Sequence, residues 1–170
     1  MNKIFLFCAG FLMTGFAQQV NAQKFGHVNS SVLIQDHPAI ASANTQLEGF
    51  QKALLDPYDA QSKEFEAKYK AFVDQANSGT LSQVATQTKQ AELQTQQDSL
   101  ASLEQQIKFR VMQKREALLQ PILTEVDSVI QVMGKEGNYT LIFDTSVSGA
   151  LLFAQESNDL TEAVKARLKK

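Results

Sequence analysis

From residue 39 to residue 133 apolar residues recur at helical spacing on either side of one turn-forming cluster, Asn77-Ser78-Gly79-Thr80. No other pattern restricts the fold of this chain as much. Before the cluster the series is Ile40, Leu47, Phe50, Leu54, Tyr58, Phe65, Tyr69, Phe72 and Ala76. Most steps are three, four or seven residues, which places one stripe along one helix face. After it the stripe is thin at first (Leu93, Leu100, Leu103, Ile107) and then richer (Leu118, Ile122, Val126, Val129, Ile130, Met133). Glycine accepts the left-handed geometry that ends a helix, and Ser or Thr caps the next one. Residues 77–80 are therefore predicted to be the tip of an antiparallel helical hairpin. Breakers are scarce, with 8 Gly and 3 Pro in 170 residues, and the abundant Gln, Ala, Glu and Lys favour helix. Arms of about 40 residues reach roughly 60 Å at 1.5 Å per residue. Pro57 stands where the step from Leu47 to Tyr58 breaks a strict heptad, and Pro121 interrupts the return arm. Each lacks a backbone N–H, so a kink is expected at the first and a kink or local break at the second. The glutamine-rich distal half of the return arm buries little, so the outer hairpin is expected to be marginal.

The flanks read differently. Residues 24–29 suggest a short strand, and Ser30 or Ser31 can cap a brief helix through Val32, Leu33 and Ile34. His37-Pro38 ends it and starts the next helix near Pro38. Gly134 and Gly137 close the return helix. Tyr139-Thr140-Leu141-Ile142-Phe143-Asp144 then reads as a strand, and Ala150-Leu151-Leu152-Phe153-Ala154 as a second. Asp159, with Glu162 three residues on, opens a last helix whose apolar face is Leu160, Val164 and Leu168. The predicted class is α+β, mostly α: a long antiparallel helical hairpin, a tentacle, rooted in a small β-sheet body made by the chain ends. The body takes residues 23–40 and 118–170, the arms about 41–117. Val28, Ile122, Val126, Ile142 and Leu152 are candidates for packing in that body.

Residues 1–22 have the layout of a secretory signal peptide. Lys3 gives a positive start, residues 4–16 form an apolar run, and small residues at Val20 and Ala22 place cleavage before Gln23. A spanning helix needs roughly 20 apolar residues, more than this run supplies. Cys8, the sole cysteine, lies inside the run. A mature chain without cysteine has no disulfide, thiol chemistry or cysteine-held metal, which suits a bacterial envelope protein held by packing alone. The formal net charge is −2 with both signs interspersed, so the basic footprint of a nucleic-acid binder is absent.

The order strand, short helix, long helical hairpin, β-hairpin and terminal helix resembles the Skp/OmpH family of periplasmic chaperones. The resemblance is carried by Phe25-Gly26-His27-Val28-Asn29 with Val32-Leu33 and His37-Pro38, by Pro121-Ile122 with Val126, Ile130 and Val132, by Gly137-Asn138-Tyr139 through Ile142-Phe143-Asp144, and by Asp159-Leu160-Thr161. It implies a homotrimer in the periplasm whose hairpins surround a cavity for unfolded outer-membrane proteins. It also implies ATP-independent holding that prevents aggregation, with no cofactor. The chain departs from the family in charge: the best-known members are strongly basic, whereas residues 45–115 here are nearly balanced in sign. Long-range steering of clients is therefore weak. Pro57 is a second departure.

Phe50, Tyr58, Phe65, Tyr69 and Phe72 are the candidate client-contacting residues, since non-directional apolar contact suits clients of varied sequence. Packing of one arm on the other explains the same spacing and is the stronger expectation. His27 and His37 have no flanking cluster and are read as structural rather than metal-binding. Paired carboxylates such as Asp56 and Asp59, or Glu64 and Glu66, lie among lysines and read as a solvated face. Ser30-Ser31 lack an oriented base, and no Gly-rich phosphate loop is present. The basic tail from Lys165 complements a helix C-terminus, with membrane-surface contact the weaker alternative. The sequence thus points to a binding protein and not an enzyme. The alternative to a chaperone is a coiled-coil adaptor of the envelope with one fixed partner.

Overall fold

The computed structural model describes residues 23–149 and 151–169. The signal segment, residues 1–22, lies outside the described residues. Strand β1 (Phe25–Val28) leads into a short helix α1 (Ser30–Gln35), then α2 (Ile40–Asn77) and α3 (Gln83–Glu136). Strand β2 (Leu141–Asp144) and helix α4 (Thr161–Leu168) complete the order.

The hairpin follows the apolar periodicity. α2 has 38 residues and α3 has 54, so the arms measure about 57 Å and about 81 Å. At the tip Gly79 adopts φ +68°, the left-handed geometry that side chains resist. Ser82 caps α3 by accepting the Ala85 N–H at 3.2 Å. Pro57 lies inside α2 and Pro121 inside α3, and neither ends its helix. The local break expected at Pro121 does not occur. The carbonyls that lose a donor belong to Ala53 and Ala117, both exposed, where water replaces the missing N–H.

Three boundaries differ from expectation. Asn29, not Ser30 or Ser31, caps α1, its side chain accepting the Val32 N–H at 3.2 Å. Both residue types cap well, and Ser30 has another use described below. α2 starts at Ile40, two residues after Pro38, with the Ala39 N–H held by His37 Nδ1 at 3.1 Å. α3 runs through Gly134, and only Gly137 serves as its C-cap.

The sheet has two parallel strands, with Phe25 opposite Leu141 and Val28 opposite Asp144. Parallel strands need a long crossover, and here the crossover is the whole helical hairpin. The second strand expected at residues 150–154 does not form: residues 151–154 have no strand geometry, and residue 150 lies outside the described residues. The hairpin expected between residues 139–144 and 150–154 is therefore absent, and β2 pairs with β1 alone among the described residues; on the other edge of β1, His27 bridges to Asp159 and its carbonyl accepts the Leu160 N–H at 2.8 Å. Leu152 and Phe153 are left 94 % and 82 % exposed. Strand propensity alone does not form a strand without a surface to pack on.

The core gathers Val28, Leu33, Val126, Leu160, Val164 and Leu168 from β1, α1, α3 and α4, with Tyr139 and Ile142 packed against it. Gly26 is required there: a Cβ would meet Leu160 Cδ1 at 2.8 Å and the Tyr139 ring at 3.0 Å. Leu33 is fully buried, so Leu33→Ala is expected to lower unfolding stability by about 2–5 kcal/mol. Urea titration followed by tyrosine fluorescence, with Val84→Ala as an exposed control, checks it.

Candidate functional site

The two arms keep one register along the hairpin. Phe50 lies beneath Arg110 and Lys114, whose cationic centres stand 5.8 and 5.9 Å from its ring. Farther out, Leu55 and Tyr58 share a groove of about 630 Å³ with Ile107, Val111 and Met112. Phe65 lines one shallow pocket with Gln96 and Leu100, and Phe72 another with Leu93. Near the tip Lys89 donates to the Gln75 side chain at 2.6 Å. Each advance along α2 is matched by an equal return along α3, so the proline at 57 introduces no skip.

This register places the candidate aromatic residues unevenly. Phe50, Tyr58, Phe65 and Phe72 are half-buried, a position that arm-to-arm packing accounts for. Tyr69 points outward at 53 % exposure, its ring 6.2 Å from that of Phe65. Sequence reading followed one stripe per arm and missed a second apolar face on α3. Phe109 and Met112 are 55 % and 50 % exposed, and Leu123 is 42 % exposed. The steps from Met112 to Leu119, Leu123 and Ile130 are seven, four and seven residues, which is a helical spacing and was the available signal.

In the body, Val28, Ile122 and Val126 are buried and Ile142 half-buried within one chain. Leu152, by contrast, is 94 % exposed, and Phe25, Leu141, Phe143, Val147 and Phe153 are exposed as well. Phe25 and Phe143 touch across the two strands, ring centroids 6.4 Å apart, and line a shallow cavity of about 320 Å³ with Leu151 and Phe153. Lone exposed apolar residues are ordinary, but a group of aromatics on one face marks a contact surface.

Polar clasps hold this surface to the root of the hairpin. The Asp144 carboxylate accepts the Ser30 hydroxyl at 2.6 Å, the Ser30 N–H at 3.1 Å and the Ser146 N–H at 2.9 Å. Ser30 was therefore misread as a cap because it ties β2 to α1. Partial burial pushes the Asp144 carboxyl up, but the hydrogen bonds from Ser30 and Ser146 together outweigh it and hold the group below its ordinary value. Asp159 behaves alike: burial raises it, and bonds from the Thr161 hydroxyl and N–H lower it further than burial lifts it. Thr161 in turn accepts the Asn29 N–H at 3.0 Å. On the far side, the Lys165 ammonium bonds Asp36 at 2.6 Å and lowers that carboxyl also.

The histidines join chain segments. His27 Nε2 lies 3.3 Å from the Gln155 carbonyl. His37 is buried, with Nδ1 as acceptor and Nε2 3.3 Å from a Glu125 carboxylate oxygen.

A family model described as "Outer membrane protein (OmpH-like)" matches residues 24–168. Among solved structures the chain resembles a protein from Caulobacter crescentus CB15 assigned as an OmpH-like outer membrane chaperone. The TM-score is 0.68 at 17 % identity, over 86 % of this chain and 84 % of that one. A search of curated proteins returns no match.

The lowered carboxyls set an acid limit. Asp144 and Asp159 have folded values below the ordinary 3.8, so their stabilisation is complete above that pH and is lost as pH falls through the folded values. Urea midpoints measured from pH 7 to pH 2.5 are expected to drop below about pH 4. Asp144→Asn should cost about 1–3 kcal/mol at pH 7 and make the acid limb shallower.

Proposed function

Because the chain belongs to the OmpH-like outer membrane protein family, we propose that it is an exported holding chaperone for unfolded outer-membrane proteins. The observation that carries this reading is the division of labour in the fold. One end is a packed body with an exposed aromatic face, and the other is a pair of long arms whose facing apolar residues are mostly half-buried. In this reading residues 1–22 direct export and are removed, leaving residues 23–170 in the periplasm.

Three copies associate through Phe25, Leu141, Phe143, Leu152 and Phe153, the apolar groups that one chain leaves uncovered. Burial of that face is the driving force, and at about 25 cal/mol per Å² aromatic side chains contribute most of it. Trimer formation sets three hairpins around one space. Clients are captured there by many weak apolar contacts and released unchanged, without a nucleotide or a catalytic step. The charge balance of the arms makes this capture short-range.

The test is dilution of a denatured β-barrel protein into buffer, followed by light scattering, with the mature chain in excess. Delayed aggregation is expected at low and high salt alike, together with a solution mass of three copies. Absence of any delay refutes the holding reading, and a monomeric mass refutes the cavity. Capture of one stoichiometric envelope protein, with no protection of barrel proteins, would favour the adaptor.

A further inference from the structure

We infer that α3 carries a specific track for extended, alternating apolar segments, formed by Met112, Leu119, Leu123 and Ile130. The inference rests on the holding role proposed above and assigns the client surface within it to a different face from the α2 aromatics.

The track has two defined ends. Met112 stands at the lip of the groove lined by Leu55, Tyr58, Ile107 and Val111. Leu123 and Ile130 line a second cavity, of about 310 Å³, beside Ile34 and Ile142 in the body. From Met112 to Ile130 is 18 helical residues, about 27 Å at 1.5 Å each. Met112 and Leu123 are half-exposed, with Leu119 and Ile130 less so. Apolar groups thus recur from a groove between the arms to a cavity at their root, with Arg115 and Glu116 between the first two of them.

The dimensions select the occupant. The strip exposes on the order of 300 Å² of apolar surface, well below the roughly 800 Å² per partner of a stable protein interface. It suits a reversible guest better than a second copy. An extended chain advances about 3.3 Å per residue, so about eight residues cover the strip, with same-side side chains every 6.6 Å or so. A segment that alternates apolar and polar residues sets four or five apolar groups on the track and turns its polar groups to water. The same residues in an apolar block would turn half of their apolar groups away. Alternation over about ten residues is the signature of a membrane-spanning β-strand. Met112 adds an adaptable, polarisable contact suited to varied guests.

Binding of a denatured β-barrel protein and of two labelled peptides of about ten residues, one alternating and one block-ordered with the same composition, tests this by fluorescence anisotropy. The full-length chain without its signal is compared with M112Q/L123Q and with V132Q. Val132 is 47 % exposed and sits on the opposite side of α3, so V132Q controls for loss of any exposed apolar group. About tenfold weaker binding by M112Q/L123Q, unchanged binding by V132Q, and preference for the alternating peptide are expected, with solution mass and helicity unaltered. Equal binding by M112Q/L123Q and the unmodified chain overturns the track while leaving the holding role intact. A changed mass for M112Q/L123Q overturns it too, because the face is then a contact between copies. Equal affinity for both peptides removes the preference for alternation. If the unmodified chain binds no barrel protein, the holding role itself fails.

Discussion

Everything in this molecule depends on closing the chain ends across a very long excursion. Four residues of parallel pairing between β1 and β2 bring together segments separated by the entire hairpin. Such pairing is weak alone, because two short strands have little to bury. It persists because Val28 reaches from β1 into the cluster of Leu33, Val126, Leu160, Val164 and Leu168. α3 enters that cluster as a rigid rod, so the same contacts that stabilise the body also fix the direction in which the arms leave it.

Polar contacts reinforce this junction where apolar area runs out. Ser30 and Ser146 surround the Asp144 carboxylate, and Thr161 joins Asp159 to the Asn29 backbone. Each clasp ties a residue before the hairpin to one after it. The arms are joined more sparsely. Toward the tip Phe72 and Leu93 line one pocket, Lys89 donates to the Gln75 side chain, and the Gln75 carbonyl accepts the Ser78 and Thr80 hydroxyls within the turn. Stability therefore falls from root to tip, and local opening is expected to begin at the tip.

The hairpin was legible because an amphipathic helix must repeat its apolar face every three or four residues, and one glycine-bearing cluster interrupts the repeat. The final helix was legible for the same reason, but its N-cap is Leu160, not the expected Asp159, which instead accepts the Thr161 N–H and hydroxyl. What misled was information held elsewhere in the chain. Ser30 looks like a cap until Asp144 stands beside it. Residues 150–154 look like the second strand of a hairpin with β2, yet Leu152 and Phe153 have nothing to bury them there and stay exposed. Pro121 looks like a break, yet the buried Ile122 and Val126 beside it hold the helix on the core. The second face of α3 was overlooked because Met112, Leu119 and Leu123 sit between residues of the stronger inner stripe. A helix paired on one side only can carry two stripes, and only the packing shows which one is free.

The charge balance of the arms fits this division. A basic arm would attract an acidic client from a distance and hold it against salt. Here lysines are neutralised nearby, as with Lys52 and Asp56 at 2.8 Å and Lys68 and Glu64 at 2.7 Å. Exposed pairs of this kind contribute little stability, but they cancel the field that would otherwise extend from the arm. Recognition is left to shape and apolar contact at short range. For the outer-membrane clients proposed above, such contact would be sufficient, because hydrophobic burial requires no matching charge.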